Sequence, residues 1–107
     1  NTFKLKTKAN VGVTTVGIYT APAATTTVVI GITMANTSGS GVNVGVGITR
    51  AGTTEDVKLL KNAPIPQGSS LEFMAGNKIV LEATDTVTVD SDTNNSVDAA
   101  LTIMEIT

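Results

Sequence analysis

Residues 25–50 constrain the chain most. Val28, Ile30, Ile32 and Met34 alternate with Thr27, Val29, Gly31 and Thr33; after a break, Val42, Val44, Val46 and Ile48 alternate with Asn43, Gly45, Gly47 and Thr49. Side chains of a strand point to opposite faces in turn, so this period of two predicts two β-strands rather than a helix. Asn36-Thr37-Ser38-Gly39-Ser40-Gly41 supplies turn residues between them. The expectation is a long β-hairpin at the centre of an all-β domain. A symmetric register sets Gly31 across from Gly45 with Gly47 nearby, leaving one hairpin face nearly bare of side chains. Such a face suits close packing by another backbone; the competing reading is relief of crowding under a loop.

The rest of the chain carries the same signal. Phe3, Leu5, Thr7 and Ala9 alternate with Lys4, Lys6 and Lys8, as in an edge strand whose lysines block unwanted strand addition. The lysines also form a candidate basic contact for an acidic surface. Val11 and Val13 are out of phase with Val16 and Ile18, which predicts a bulge near Thr14 and Thr15. Ala21-Pro22-Ala23-Ala24 reads as a corner, because proline brings no N–H to a ladder. A short strand is expected over residues 57–60. A rigid connection follows over residues 62–68, held extended by Pro64 and Pro66. Strands over 70–74 and 78–82 are expected to flank a compact turn at Ala75-Gly76-Asn77, and strands over 86–90 and 96–106 to flank residues 91–95. In the last strand Val97, Ala99, Leu101, Ile103 and Glu105 share one face. Regular short strands without a helix-period segment predict a sandwich or a barrel, in one domain over residues 1–107; the architecture expected is a single antiparallel β-sandwich, Ig-like or jelly-roll-like, with about eight strands.

Composition narrows the function. Aromatic residues make up 3% of the chain, so the core must be aliphatic. Cysteine and histidine are absent, which removes thiolate metal sites, disulfides and the commonest general base. A serine hydrolase needs a base beside its nucleophile, and Gly39-Ser40-Gly41 is not the elbow that exposes such a serine. Asp85, Asp90, Asp92 and Asp98 lie where turns and strand ends favour aspartate, so no acid–base pair is assigned. Asp90, Asp92 and Asn94 have the opening spacing of a calcium loop. However, Asn95 and Leu101 stand where that loop needs glycine and glutamate, and an Asx-rich turn is the plainer reading. A net charge of -2 and scattered aromatics argue against a nucleic-acid partner. No apolar run is long enough for a membrane helix, and residues 1–10 lack a signal peptide's apolar segment, so synthesis in the host cytoplasm is expected. No cofactor or metal is expected.

Three segments carry a resemblance. They are Ile18-Tyr19-Thr20-Ala21-Pro22-Ala23, the β-branched run over 28–32 leading to Ala35-Asn36-Thr37-Ser38-Gly39, and Ile65-Pro66-Gln67-Gly68-Ser69-Ser70-Leu71-Glu72. In them the chain resembles small virion structural proteins of tailed bacteriophages, cyanophages included; the lysine-rich first strand lies outside the match. The resemblance implies a non-enzymatic β-sandwich located in the virion. It would decorate the capsid by binding the major capsid protein lattice, or form part of a neck, baseplate or fibre. The expected partners are the major capsid protein or other virion proteins, with multi-copy or homo-oligomeric assembly. A small carbohydrate-binding module is the alternative of another class, though the chain has no Trp and one Tyr for a sugar platform. The candidate contacts are Lys4, Lys6 and Lys8, then Gly31, Gly45 and Gly47, then Pro64 and Pro66.

Overall fold

The computed structural model describes residues 1–52, 55–73 and 78–107. These form nine strands: β1 Thr2–Val11, β2 Val16–Thr20, β3 Thr26–Asn36, β4 Val42–Thr49, β5 Asp56–Ile65, β6 Ser70–Phe73, β7 Ile79–Leu81, β8 Thr86–Ser91 and β9 Val97–Ile106. One sheet has the order β1-β9-β3-β6, with β7 also on β3; the other has the order β2-β8-β4-β5. All pairings are antiparallel. β6 and β7 lie along successive parts of β3, opposite residues 32–35 and 27–29, and so share one strand position. Two four-position sheets in this order form a jelly roll, one of the two expected sandwich types.

The central hairpin expected over residues 25–50 is not formed. β3 and β4 lie in different sheets, and the turn at residues 37–41 carries the chain from one sheet to the other. Gly31 is opposite Thr102 and Gly45 opposite Asp90, so these glycines do not face one another. Period-two alternation identifies strands but not their partners, and both strands have a buried face to satisfy wherever they lie. Asn36 explains the crossing. Its Nδ2 donates to the carbonyls of Ser40 (2.8 Å) and Ile65 (3.0 Å), and its Oδ1 accepts from the Ser38 N–H (2.9 Å) and hydroxyl (2.7 Å). One buried amide thereby folds the loop and ties it to the end of β5.

Other connections differ from expectation in the same way. Residues 12–15 and 92–96 also pass between sheets, so the first is not a bulge within a strand and the second is not a hairpin turn. A bulge does occur in β2, between Gly17 and Tyr19. β5 runs through Pro64 to Ile65, so the extended connection is shorter than predicted. Pro64 is tolerated because β5 is an edge strand. Pro66 starts a tight turn closed by the Ser69 N–H on its carbonyl (3.1 Å), with Gly68 at positive φ. β6 and β7 do not form a hairpin with each other, and the turn expected at Ala75-Gly76-Asn77 lies outside the described residues, as do Thr53 and Thr54. The corner at Ala21 is formed, with its N–H on the Asp85 carbonyl (2.9 Å).

The core lies between the sheets and is aliphatic apart from Tyr19. β9 contributes Val97, Ala99, Leu101 and Ile103 in the alternation read from sequence, and β4 contributes Val42, Val44, Val46 and Ile48. β3 changes phase. Its register shifts between Val29 and Gly31, with Ile30 as the extra residue, so Val29, Ile32 and Met34 are buried while Val28 is on the outer face.

Candidate interaction surface

β1 occupies an edge, as expected. Its faces are assigned by its pairing with β9. Lys4, Lys6 and Lys8 oppose Ile103, Leu101 and Ala99, which are buried, so the lysines are on the side facing the other sheet. Phe3 and Leu5 oppose Met104 and Thr102 and face outward, 69% and 64% exposed. This inversion has an electrostatic cause. Glu105 is on the inner face of β9 and is buried, and Lys4 Nζ reaches its Oε1 at 2.9 Å. The other carboxylate oxygen accepts from the Tyr19 hydroxyl at 2.6 Å. A carboxylate can only accept, so the tyrosine proton lies toward Glu105, and the Thr27 hydroxyl donates to Tyr19 Oη at 2.8 Å. Lys4 and Tyr19 hold the Glu105 carboxyl below its ordinary range, while burial and the Glu105 hydrogen bond push Tyr19 up to about 12. The cluster joins β1, β9 and β3 of one sheet to β2 of the other. Inward-pointing charge on an edge strand also discourages strand addition.

The outer face of the β1-β9-β3 sheet carries an apolar row at one end. Phe3 opposes Met104, Met104 opposes Val28, and Val28 opposes Val80, making a row across four strands. Val80 is 58% exposed. The sequence reading did not single out these residues. The available signal was the end of β9, where Met104 and Ile106 make the second face apolar as well as the first.

The glycines do not form one surface. Gly45 and Gly47 are on β4 under neighbouring side chains: a Cβ on Gly45 would lie 2.6 Å from Asp90 Oδ1, and one on Gly47 would lie 2.9 Å from the Val57 carbonyl oxygen. Their lack of side chains admits Asp90, Thr88 and Lys58, which agrees with the crowding explanation. Gly31 is on the other sheet, beside the β3 bulge. Pro64 and Pro66 are exposed, at the end of β5 and in the turn beyond it. The lysines and Gly31 thus belong to one sheet, and Gly45, Gly47 and Pro64 to adjacent strands of the other.

Among the described residues there is no group of three metal-ligating side chains. The calcium-like oxygens are used locally. Asp90 accepts from Thr15 (3.1 Å), Asp92 from the Asn43 N–H (3.1 Å) and Asn94 from the Val13 N–H (3.4 Å). At the other end, an open cleft of about 460 Å³ is lined by Arg50, Leu59, Ile79 and Asp85, among others. Burial raises the Asp85 pKa, but the N–H groups of Ala51 and Glu82 and the Arg50 guanidinium outweigh it and hold the carboxyl low. Asp85 is therefore a satisfied structural carboxylate.

No protein-family model and no curated protein matches the sequence. Solved structures do match in fold. A chain in the acid-stable capsid of Helicobacter pylori bacteriophage KHP30 aligns at TM-score 0.61 and 11% identity, covering 100% of this chain and 94% of that one. A chain in the capsid asymmetric unit of cyanophage Pam1 aligns at TM-score 0.54 and 17% identity, covering 94% and 83%. A chain of the disulfide-linked pili that form Bacillus endospore appendages aligns at TM-score 0.52 and 18% identity, covering 99% and 88%. At these identities the likeness is one of fold: the chain has the two-sheet architecture found in two phage capsids and in a bacterial surface fibre.

Proposed function

We propose that this chain is a non-enzymatic virion structural protein that decorates a phage capsid, bound in many copies to the major capsid protein lattice. The observation that carries the reading is the end-to-end match to chains of two phage capsids. In both, the matched chain is little longer than this one, so the fold stands there as a small separate polypeptide. The three sequence segments that resemble phage virion proteins support it independently. So does the role of Asn36, which is both part of that resemblance and the buried amide of the crossing loop. The pilus likeness favours a fibre as the second reading, but this chain has no cysteine with which to link subunits covalently.

Lys6 and Lys8 on the free edge are the positive groups offered to an acidic lattice surface, with Lys4 engaged by Glu105. Quantitative mass spectrometry of particles purified from the source is the test. A copy number near that of the major capsid protein is expected. A few copies per particle would assign the chain to a neck, baseplate or fibre, and absence from particles would overturn the virion reading. Replacing Lys6 and Lys8 with serine should weaken binding to particles, increasingly so at low salt, where exposed charges act over longer range; Lys4 is left in place because it pairs Glu105.

A further inference from the structure

We propose that two copies of this chain exchange β1: residues 2–8 of each swing out about Ala9 and Asn10 and lie on the β9 edge of the other. The inference does not rest on the virion reading. β1 divides into a root and an arm. The root is pinned. Val11 is 1% exposed; its carbonyl accepts from the Ser96 N–H (3.1 Å), and the Gly12 carbonyl accepts from the Ser91 N–H (2.9 Å). The arm is held lightly. Among the described residues, residues 2–8 pair with residues 99–105 of β9 alone, and none of them is buried on either face. β9 keeps its ladder to β3 without the arm, and the buried apolar residues belong to the root and the other strands. The two meet at a hinge: Ala9 and Asn10 are exposed, the register breaks between Lys8 and Val11, and Asn10 has a φ of 58°. An extended crossing to a second copy releases that left-handed turn.

The chemistry of the vacated edge selects its occupant. With the arm gone, Glu105 is left on the inner face without its cation, and one side of β9 has an open ladder over residues 99–105. A buried carboxylate that loses its partner is strongly destabilising. A foreign strand would have to bring a cation to that one position while matching the register. A second copy does so by identity, since its Lys4 is opposite Ile103 and reaches Glu105 Oε1 at 2.9 Å in the closed chain. All contacts of the arm are thus re-formed in the exchanged pair. What remains is the freedom lost on association, set against the released hinge, and the resulting dimer is weak.

The chain has no cysteine, so introduced thiols report on the arm alone. Leu5 and Thr102 are opposite one another and exposed, so Leu5→Cys combined with Thr102→Cys marks the arm and its edge without touching the core. The purified double variant is equilibrated at about 1 µM and about 1 mM, treated with a short bismaleimide and run on a denaturing gel. A dissociation constant of roughly 0.1 mM puts about four-fifths of the chain in dimers at the higher concentration and about 2% at the lower. Linked dimers should follow those shares, with linked monomers as the remainder. Thr33→Cys combined with Ala100→Cys joins β3 to β9, which do not exchange, and should give linked monomers at both concentrations. Asn10→Pro, which cannot adopt a positive φ, should strengthen the dimer about tenfold. Linked monomers alone at about 1 mM would overturn the proposal. So would an equal share of linked dimers from the Thr33 and Ala100 pair, or a dimer that Asn10→Pro leaves unchanged.

Discussion

Glu105 is the residue whose chemistry reaches furthest. A carboxylate in phase with a run of core residues is costly to bury unless it is paired, and here Lys4, Tyr19 and Thr27 supply the pairing. Two pH dependences follow. The Glu105 pKa is lowered in the folded state, so its contribution is complete above the ordinary carboxylate range and is lost as pH falls through the lowered value. Urea unfolding at acid and neutral pH should show wild type losing more stability on acidification than Glu105→Gln. Tyr19 titrates at about 12 when folded against 10.0 ordinarily, so its contribution is complete below pH 10 and is lost between pH 10 and 12. Tyr19→Phe should flatten the alkaline limb of the stability profile in that window. Asn36 sets a third expectation. Asn36→Ala removes the partner of the buried Ile65 carbonyl and should cost about 1–3 kcal/mol in chemical denaturation.

At the scale of the element, strands were legible in the sequence and their partners were not. The alternation in β9 matches its buried face residue by residue, and β1 is at an edge as its lysines indicated. In β3 the bulge at Ile30 reverses the faces halfway along, and an inserted residue leaves no mark on an apolar β-branched run. The inversion of β1 was hidden for a related reason. Phe3 and Leu5 would ordinarily be read as the inner face, and it is Glu105, at the other end of the sequence, that draws Lys4 inward. The positions of the candidate residues were legible according to the range of information they needed. The lysines depended only on local pattern, whereas the glycine face required a pairing that β3 and β4 do not make. β4 nonetheless shows why its glycines are there. Gly47→Ala places a Cβ against the Val57 backbone, which cannot swing aside as a side chain would, and should destabilise by about 1–3 kcal/mol.

At the scale of the molecule, the two sheets present different outer surfaces. That of the β2-β8-β4-β5 sheet carries Lys58, Asp90 and Asp56, which interact across its strands, while that of the β1-β9-β3 sheet is largely neutral. A molecule with one charged and one largely neutral face has a preferred way to lie in a layered assembly. The sheet order has a further effect, on how the chain acquires its structure. Of the pairings among the described residues, one, β4 with β5, joins strands adjacent in sequence. β9 lies between β1 and β3, which do not touch through hydrogen bonds of their own. β1 therefore has no strand to pair with until residues 97–106 have been made, whereas β3 can already pair with β6 and β7. Folding of this chain is dominated by contacts between distant segments, with rates expected in the millisecond-to-second range. Until it happens, Phe3, Leu5 and the β3 strand are exposed together on an open chain, at the stage when self-association is least specific.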